Sequence, residues 1–304
     1  MNRLSLLFVG FVAFLFGCSN RNPYQRKNGT WYYDDYIVGE KDPGSFKPLN
    51  NRFSRDAQYG YYRGSIIDSS DGKSFEALTE HYCKDKLHVY HCDTYRSGQD
   101  YFFTKRNRIT VLQDADPATF VLLDDYHGKD KQRVFYLGQS FPVKDVASFT
   151  LLTYSFAKDN QTAYFGEVMI TGSDPATFTA LDNNYAKDNN HVYYCYTSIA
   201  NANTKQGGVC RILPNAQPAS FVLLENDYAK DNQHLFYKEE LLAGDTASLK
   251  ILSYDYAVAG NQVYYRGKPV KGADAASFTV MEIPGDSTDA RDKNKWYQQG
   301  VKVK

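Results

Sequence analysis

The chain has 304 residues, with 35 Lys plus Arg against 35 Asp plus Glu, so it carries no net charge. Because phosphate neutralisation supplies most of the affinity for nucleic acid, this balance argues against nucleic acid as a partner. Hydrophobic residues make up 42% of the chain, which is enough to bury a core and excludes wholesale disorder.

The first residues are organised as an export signal. The apolar run 4–16 is shorter than the roughly 20 residues that a spanning helix needs. Residues 15–18, Leu-Phe-Gly-Cys, resemble the lipobox of bacterial lipoproteins. The resemblance implies that 1–17 is a cleaved signal peptide, that Cys18 carries the lipid anchor, and that Ser19 directs the protein to the outer membrane. A cleaved signal with an incidental cysteine is the alternative.

After the signal, the polar stretch 18–27 is interpreted as a lipidated N-terminus with a short tether. Folded structure is expected to begin near Gly29, giving one repeat domain over 28–304. The expected location is the cell envelope, on the periplasmic face of the outer membrane, with membrane contact through the lipid.

A repeat of about 29 residues follows. Its marker is an apolar residue preceded by Ser or Thr, found at Phe46, Phe75, Phe120, Phe149, Phe178, Phe221, Leu249 and Phe278. Two spacings are longer than the rest, so insertions are predicted near 93–107 and 196–209. Four residues before most markers stands an Asp, often followed by Pro, which predicts a short capped helical turn.

Beyond each marker comes an aromatic residue at about the seventh place, with Tyr126 one residue early. A polar turn and a short run such as Val192-Tyr193-Tyr194 follow. Short runs rich in Val, Tyr and Phe between Asp, Asn and Gly indicate strands, and no long window has a helical period. The fold class is therefore predicted as all-β.

The units resemble the DKNYY repeat family of bacterial exported proteins. The residues that carry the resemblance include Lys187-Asp188-Asn189 with Val192-Tyr193-Tyr194, and Asp292-Lys293-Asn294 with Trp296-Tyr297. The resemblance implies an exported repeat protein and no established activity. A unit of 29 residues is short for a propeller blade, so a tandem array of about eight units in an open solenoid or superhelix is expected, with a propeller-like closed ring as the alternative.

Four cysteines remain beside Cys18, an even number for an oxidising compartment. A disulfide between Cys195 and Cys210 would close the second insertion, and Cys83 with Cys92 is the weaker predicted pair. The run from His81 to Cys92 contains residue types that bind zinc, but His88 has counterparts at the same repeat position, His191 and His234. A bridged hairpin with surface histidines is therefore preferred, with neither a metal nor a cofactor.

Enzyme motifs are absent from the sequence, and the repeated Asp and Lys residues are interpreted as caps and turns, so no catalytic residue is predicted. The expected function is that of a protein-binding scaffold for an unknown envelope protein, one concrete form being an immunity protein against an envelope-targeted toxin. A glycan- or peptidoglycan-binding module and a structural envelope component are the alternatives. The insertions break the repeat, so their aromatic residues are the predicted partner-binding residues: Tyr95, Tyr101, Phe102, Phe103 and Tyr196.

Overall fold

Nine small antiparallel sheets form the fold in the computed structural model, which describes residues 22–98, 102, 104–153, 155–198, 207–253, 255–285 and 288–303. The chain divides into two compact units, Met1–Val111 with sheets 1–3 and Leu112–Lys304 with sheets 4–9. No helix occurs among the described residues, which confirms the all-β fold class.

In the first unit, sheet 1 has three strands, and sheets 2 and 3 have four each. The strands are β1 (Tyr24–Lys27), β2 (Thr30–Tyr33) and β3 (Tyr36–Ile37); β4 (Lys47–Pro48), β5 (Phe53–Arg55), β6 (Gly60–Tyr62) and β7 (Ser65–Ile67); β8 (Glu76–Ala77), β9 (Tyr82–Lys84), β10 (Val89–Tyr95) and β11 (Arg106–Val111).

In the second unit, all six sheets have four strands. Sheets 4–6 comprise β12 (Val121–Leu122), β13 (His127–Lys129), β14 (Val134–Tyr136), β15 (Gln139–Phe141); β16 (Thr150–Leu151), β17 (Phe156–Lys158), β18 (Ala163–Phe165), β19 (Val168–Ile170); β20 (Thr179–Ala180), β21 (Tyr185–Lys187), β22 (Val192–Ser198), β23 (Gly207–Ile212). Sheets 7–9 comprise β24 (Val222–Leu223), β25 (Tyr228–Lys230), β26 (Leu235–Tyr237), β27 (Glu240–Leu242); β28 (Lys250–Ile251), β29 (Tyr256–Ala259), β30 (Gln262–Tyr265), β31 (Lys268–Pro269); β32 (Thr279–Gly285), β33 (Thr288–Arg291), β34 (Trp296–Gln298), β35 (Val301–Lys302).

Each four-stranded sheet is a meander in which consecutive strands pair. In the five sheets numbered 4 to 8 the first strand has two residues and directly follows the marker residue of its repeat. All seven marker phenylalanines are buried, and Leu249 packs against a core cluster. The repeat unit predicted from the marker spacing is therefore one meander sheet.

The second strand of each four-stranded sheet places a small residue among the buried side chains. Alanine occupies this place in sheets 5–9, with Ser54, Cys83 and Gly128 in sheets 2–4. A Cβ added to Gly128 would lie 2.3 Å from the ring of Phe120. The small residue therefore makes room for the marker side chain, whose ring occupies the space above the strand.

Neighbouring sheets share their hydrophobic cores, because a single short meander cannot bury its aromatic residues alone. One cluster joins Phe156 and Ile170 of sheet 5 to Tyr193 of sheet 6 and to Phe178, the marker that precedes sheet 6. Similar clusters join sheets 1 and 2, 2 and 3, 4 and 5, 6 and 7, 7 and 8, and 8 and 9.

The short turns before the markers are single turns, as where the N–H of Thr177 donates to the carbonyl of Asp174 at 3.3 Å and strand β20 begins two residues later. Two other details of the sequence prediction are wrong. Strand β1 occupies part of the segment expected to be a tether and pairs with β2, so residues upstream of Gly29 already belong to a sheet. In sheet 4 the buried aromatic position is occupied by His127, whose ring packs against Tyr136, while Tyr126 is exposed.

Candidate binding edge

The repeated Asp of the motif is buried and serves the fold. In sheet 5, Oδ1 of Asp159 accepts hydrogen bonds from the N–H groups of Gln161 at 2.7 Å and Thr162 at 2.8 Å. Its Oδ2 accepts from the N–H of Asp145 at 2.9 Å and from the hydroxyl of Tyr164 at 2.6 Å. Burial opposes ionisation of Asp159, but these donors outweigh it and lower the pKa of the carboxyl.

This carboxylate arrangement recurs through the chain. Asp85, Asp188 and Asp292 make the corresponding bonds to a Tyr five residues later, at 2.7–3.0 Å. In sheets 4 and 7 a Phe replaces that Tyr, and Asp130 and Asp231 keep the three backbone bonds. Each carboxylate thus links its own turn to the backbone N–H of an upstream turn. The separation is 14 residues, and it is 18 residues in the last sheet.

The other polar motif residues are also used inside the repeats. Lys129 donates to the carbonyls of Val146 at 3.2 Å and Phe149 at 3.1 Å, so it reaches into the next repeat. Ser148, which precedes a marker, accepts from the N–H of Asn160 at 2.9 Å. Since the motif's Asp, Lys, Ser and Tyr serve as structural groups, a binding site must be sought elsewhere.

The turns between the last two strands of the sheets form one edge of each unit, which we call the hairpin edge. Outside sheets 3 and 6, a two-residue turn joins these strands, as at Arg63-Gly64 and Arg266-Gly267. At Arg63-Gly64 and Arg266-Gly267 both turn residues have positive φ, which is typical of tight hairpins. Three surface grooves lie along the hairpin edge, one in the first unit and two in the second.

The first groove has a volume of about 520 Å³ and is lined by residues of sheets 1–3. Sheet 1 supplies Tyr33, Tyr36 and Ile37, and the cations Arg63, Arg96 and Lys105 come from sheets 2 and 3. The guanidinium of Arg63 lies 5.5 Å from the ring centre of Tyr33.

The third groove, of about 560 Å³, is lined by sheets 6–8, including Tyr194, Tyr196 and Tyr237. The rings of Tyr194 and Tyr196 are 5.8 Å apart, and burial raises the pKa of Tyr194 to about 12. A hydrogen bond with Tyr196 raises the pKa of Arg211, whose Nε lies 3.4 Å from Oε2 of Glu239. The second groove, of about 380 Å³, lies between sheets 4, 5 and 6.

Both insertions lengthen hairpins at this edge. Strands β10 and β22 have seven residues each, whereas the third strand of the other four-stranded sheets has three or four. Tyr95 pairs with Arg106, and Ser198 with Gly207, so the strands continue into both predicted insertions. The connections 96–105 and 199–206 stand where the other sheets have a two-residue turn.

The predicted partner-binding residues have different environments. Tyr95 lies on β10, half-buried, with the guanidinium of Arg108 4.9 Å from its ring centre. Phe102 is 80% exposed, and Tyr196 lines the third groove. Tyr101, Phe103 and the proposed lipid anchor Cys18 lie outside the described residues. Sequence reasoning missed the cations and tyrosines contributed by neighbouring turns, for which the recurring Arg-Gly dipeptide was the available signal.

The predicted cysteine pairs have different outcomes. Cys195 and Cys210 are direct partners on β22 and β23 and form a disulfide, with Cα atoms 4.1 Å apart. Cys83 and Cys92 are buried free thiols, so the second predicted pair is wrong. The register places Cys83 opposite Tyr90, which leaves Cys92 at the diagonal position, where Cα atoms are about 7–8 Å apart and exceed the usual disulfide span.

The histidines near these thiols are partly buried and not all on the surface as expected. His91 is buried against Tyr82, with ring centres 4.9 Å apart, and burial lowers the pKa of its imidazole. Nδ1 of His88 lies 3.2 Å from the hydroxyl of Tyr90. Over the ranges that the structure describes, no group of three His, Cys, Asp or Glu side chains is placed to hold one metal ion.

Comparison with protein families identifies the class. The model of the DKNYY family matches residues 10–94 and 156–301, which is more than half of the chain, and the chain belongs to this family. No curated protein and no solved structure matches the chain. In the described part of the chain, no helix combines the length and hydropathy needed to span a bilayer.

Proposed function

We propose that this DKNYY-family protein is a lipoprotein of the outer membrane, facing the periplasm, whose hairpin edge binds another envelope protein. The observation that carries the proposal is the coincidence of two features at one edge: the three grooves and both insertions. Loops grafted on a rigid scaffold are where specificity usually lies. A binding role is preferred to catalysis because the repeated carboxylates are committed to turns.

The arrangement of successive sheets as an open array is part of the same proposal. Within Leu112–Lys304 the hydrophobic clusters join sheets that follow one another in sequence, which favours an open array over a closed ring. Such an array would present its hairpin turns as one continuous binding surface within the unit. An immunity protein that blocks an envelope-targeted toxin is one concrete form of this function.

A glycan-binding role is the second candidate, and the third groove favours it. Tyr194, Tyr196 and Tyr237 line this groove together with the charged side chains of Lys238 and Glu240. Aromatic faces beside polar groups suit the stacking and hydrogen bonding of a sugar. Binding of a peptidoglycan fragment that Tyr196→Ala abolishes would favour this role over protein binding.

The proposed location gives a direct prediction. Mass spectrometry of detergent-extracted protein is expected to show Cys18 as an acylated N-terminus, because the apolar run 4–16 ends in the lipobox-like sequence. Cys18→Ala should move the protein out of the membrane fraction, since acyl chains contribute about 0.8 kcal/mol per buried methylene. A Cys18→Ala protein that stays firmly in the membrane fraction would contradict the anchor.

The binding role is tested by shortening the hairpins. Residues 96–105 and 199–206 are each replaced by Arg-Gly, which joins the directly paired residues Tyr95 with Arg106 and Ser198 with Gly207. The shortened protein should keep its β-sheet circular dichroism. Capture of the envelope partner, identified by pull-down with the full chain, should weaken by at least about 2 kcal/mol if hot-spot aromatics are lost.

Gln299→Arg is the matched control, since it changes an ordinary turn that lines none of the three grooves to Arg-Gly and leaves both hairpins intact. Its partner affinity should equal that of the unchanged protein. If the shortened protein folds and binds as tightly as the control, the binding surface lies outside the insertions.

A further inference from the structure

Positive charge is concentrated at the first groove, although the whole chain has no net charge. The groove is lined by three cations, Arg63, Arg96 and Lys105, against one carboxylate, Asp34. Among the described residues, neither Arg63 nor Lys105 has a carboxylate partner within 4 Å. A cleft lined by one sign of charge raises the local concentration of the opposite charge.

The two sides of the groove differ in chemistry. Sheet 1 contributes Tyr36, which is 78% exposed, and Ile37, which is 66% exposed. The cations come from the turn of sheet 2 and from the hairpin of sheet 3. Arg96 is held by a 2.9 Å hydrogen bond from its Nη1 to the carbonyl of Phe102. An occupant would therefore meet apolar surface on one side and guanidinium and ammonium groups on the other.

The other two grooves of the hairpin edge lack this excess. The second groove is lined by Glu167 and no cation. The third groove is also lined by three cations, Lys238, Arg266 and Lys268, but it has two carboxylates, those of Glu239 and Glu240. In addition, Lys238 pairs with Asp227 at 3.4 Å and Arg266 with Asp255 at 2.6 Å. The positive charge of the first groove is thus a property of this groove and not of the repeat.

We propose that the first groove binds an acidic segment of the partner protein, with carboxylates at Arg63, Arg96 and Lys105 and an apolar side chain against Tyr36 and Ile37. The inference rests on the proposed protein-binding function and names the chemistry of the partner. A peptide segment fits because the groove is concave and half apolar, whereas a membrane surface is flat. The neutral chain also lacks the charge excess that nucleic acid binding requires.

The test uses two synthetic peptides and the full-length protein. The acidic probe is acetyl-Glu-Phe-Glu-Leu-Glu-amide, and the control probe has Gln in place of every Glu. Calorimetric titration should show saturable binding of the acidic probe at concentrations up to about 1 mM, with the Gln probe at least tenfold weaker. Binding of the acidic probe should weaken as salt is raised, because ions screen exposed charges.

The combined variant Arg63→Gln and Lys105→Gln should weaken the acidic probe at least tenfold. Gln is compatible with the turn conformation at position 63, because Gln299 holds the corresponding place in sheet 9 with φ of 48°. The matched control, Lys250→Gln with Lys271→Gln, removes two exposed lysines from the second unit and should bind as the unchanged protein does.

The acidic-segment proposal is overturned if both probes bind equally, if the Arg63/Lys105 variant binds as the control does, or if only vesicles containing phosphatidylglycerol bind. These failures are distinguishable from failure of the proposed function. If the hairpin-shortened protein loses its partner while the acidic probe does not bind, protein binding stands and the acidic segment is wrong. If shortening leaves partner capture unchanged as well, the acidic segment is wrong and the insertions do not form the binding surface that the proposed function assigns to them.

Discussion

Asp159→Ala is expected to lower the free energy of unfolding by about 3–5 kcal/mol, a large loss for one side chain, because it breaks a buried hydrogen-bond network. The substitution removes the acceptor of four hydrogen bonds at 2.6–2.9 Å, from three backbone N–H groups and the hydroxyl of Tyr164. The donors stay in place with no acceptor of equal strength. Urea denaturation followed by circular dichroism measures the loss.

Two further variants are expected to lower the free energy of unfolding less than Asp159→Ala does. Tyr164→Phe removes the bond to the Asp159 carboxylate and the acceptor of the Lys144 N–H, and it should cost about 1.5–3 kcal/mol, less than Asp159→Ala. Asp125→Ala changes an exposed carboxylate in a neighbouring loop and should stay within about 0.5 kcal/mol of the unchanged protein. If Asp159→Ala costs no more than Asp125→Ala, the buried carboxylate does not stabilise the fold.

Acid is expected to destabilise the protein through these same carboxylates. Burial of Asp292 opposes ionisation, but three backbone N–H donors and the hydroxyl of Tyr297 outweigh it and lower the pKa of the carboxyl from 3.8 to about 2. A depressed folded-state pKa contributes stability above pH 4, and this contribution is lost as pH falls towards 2. Asp56, Asp188 and Asp231 have pKa values lowered in the same direction.

The measurement compares unchanged protein with Asp292→Ala. The difference in unfolding free energy should be constant above pH 5 and should shrink between pH 4 and pH 2, because only the unchanged protein loses the ionised carboxylate. Repeating the series with Asp125→Ala controls for the general effect of acid on net charge. A difference that stays constant down to pH 2 would show that Asp292 does not titrate with a depressed pKa.

The sequence predicted the periodic features of the fold because they depend on local pattern. The marker phenylalanines and strands such as Val192-Tyr193-Tyr194 are repeated in register, and each repeat corresponds to one sheet. The short turns before the markers were predicted as helical because Asp followed by Pro suits a helix start. The carboxylate does cap the turn, as where Oδ2 of Asp174 accepts from the hydroxyl of Thr177 at 2.7 Å, but buried Phe178 begins an extended segment at once.

Long-range partners could not be read from the sequence. Asp188 lies in Lys-Asp-Asn, which is typical of an exposed turn, yet its decisive partner is the N–H of Asp174, 14 residues upstream. The free thiols follow from strand register, since a register shift of two residues separates a direct cross-strand pair from the diagonal one seen for Cys83 and Cys92. The first groove was missed for the same reason, because its lining residues come from three successive sheets.

In each long hairpin the strand pairing ends at a directly paired set of residues, Tyr95 with Arg106 and Ser198 with Gly207, so the strand register does not depend on the length of the connection. Closing a longer loop costs only about 0.6 kcal/mol for each doubling of its length. Every two-residue turn along the edge is therefore an equivalent grafting point. Relatives with the same scaffold would be able to exchange recognition loops there, so that new partners arise by insertion while the aromatic core and its carboxylates stay unchanged.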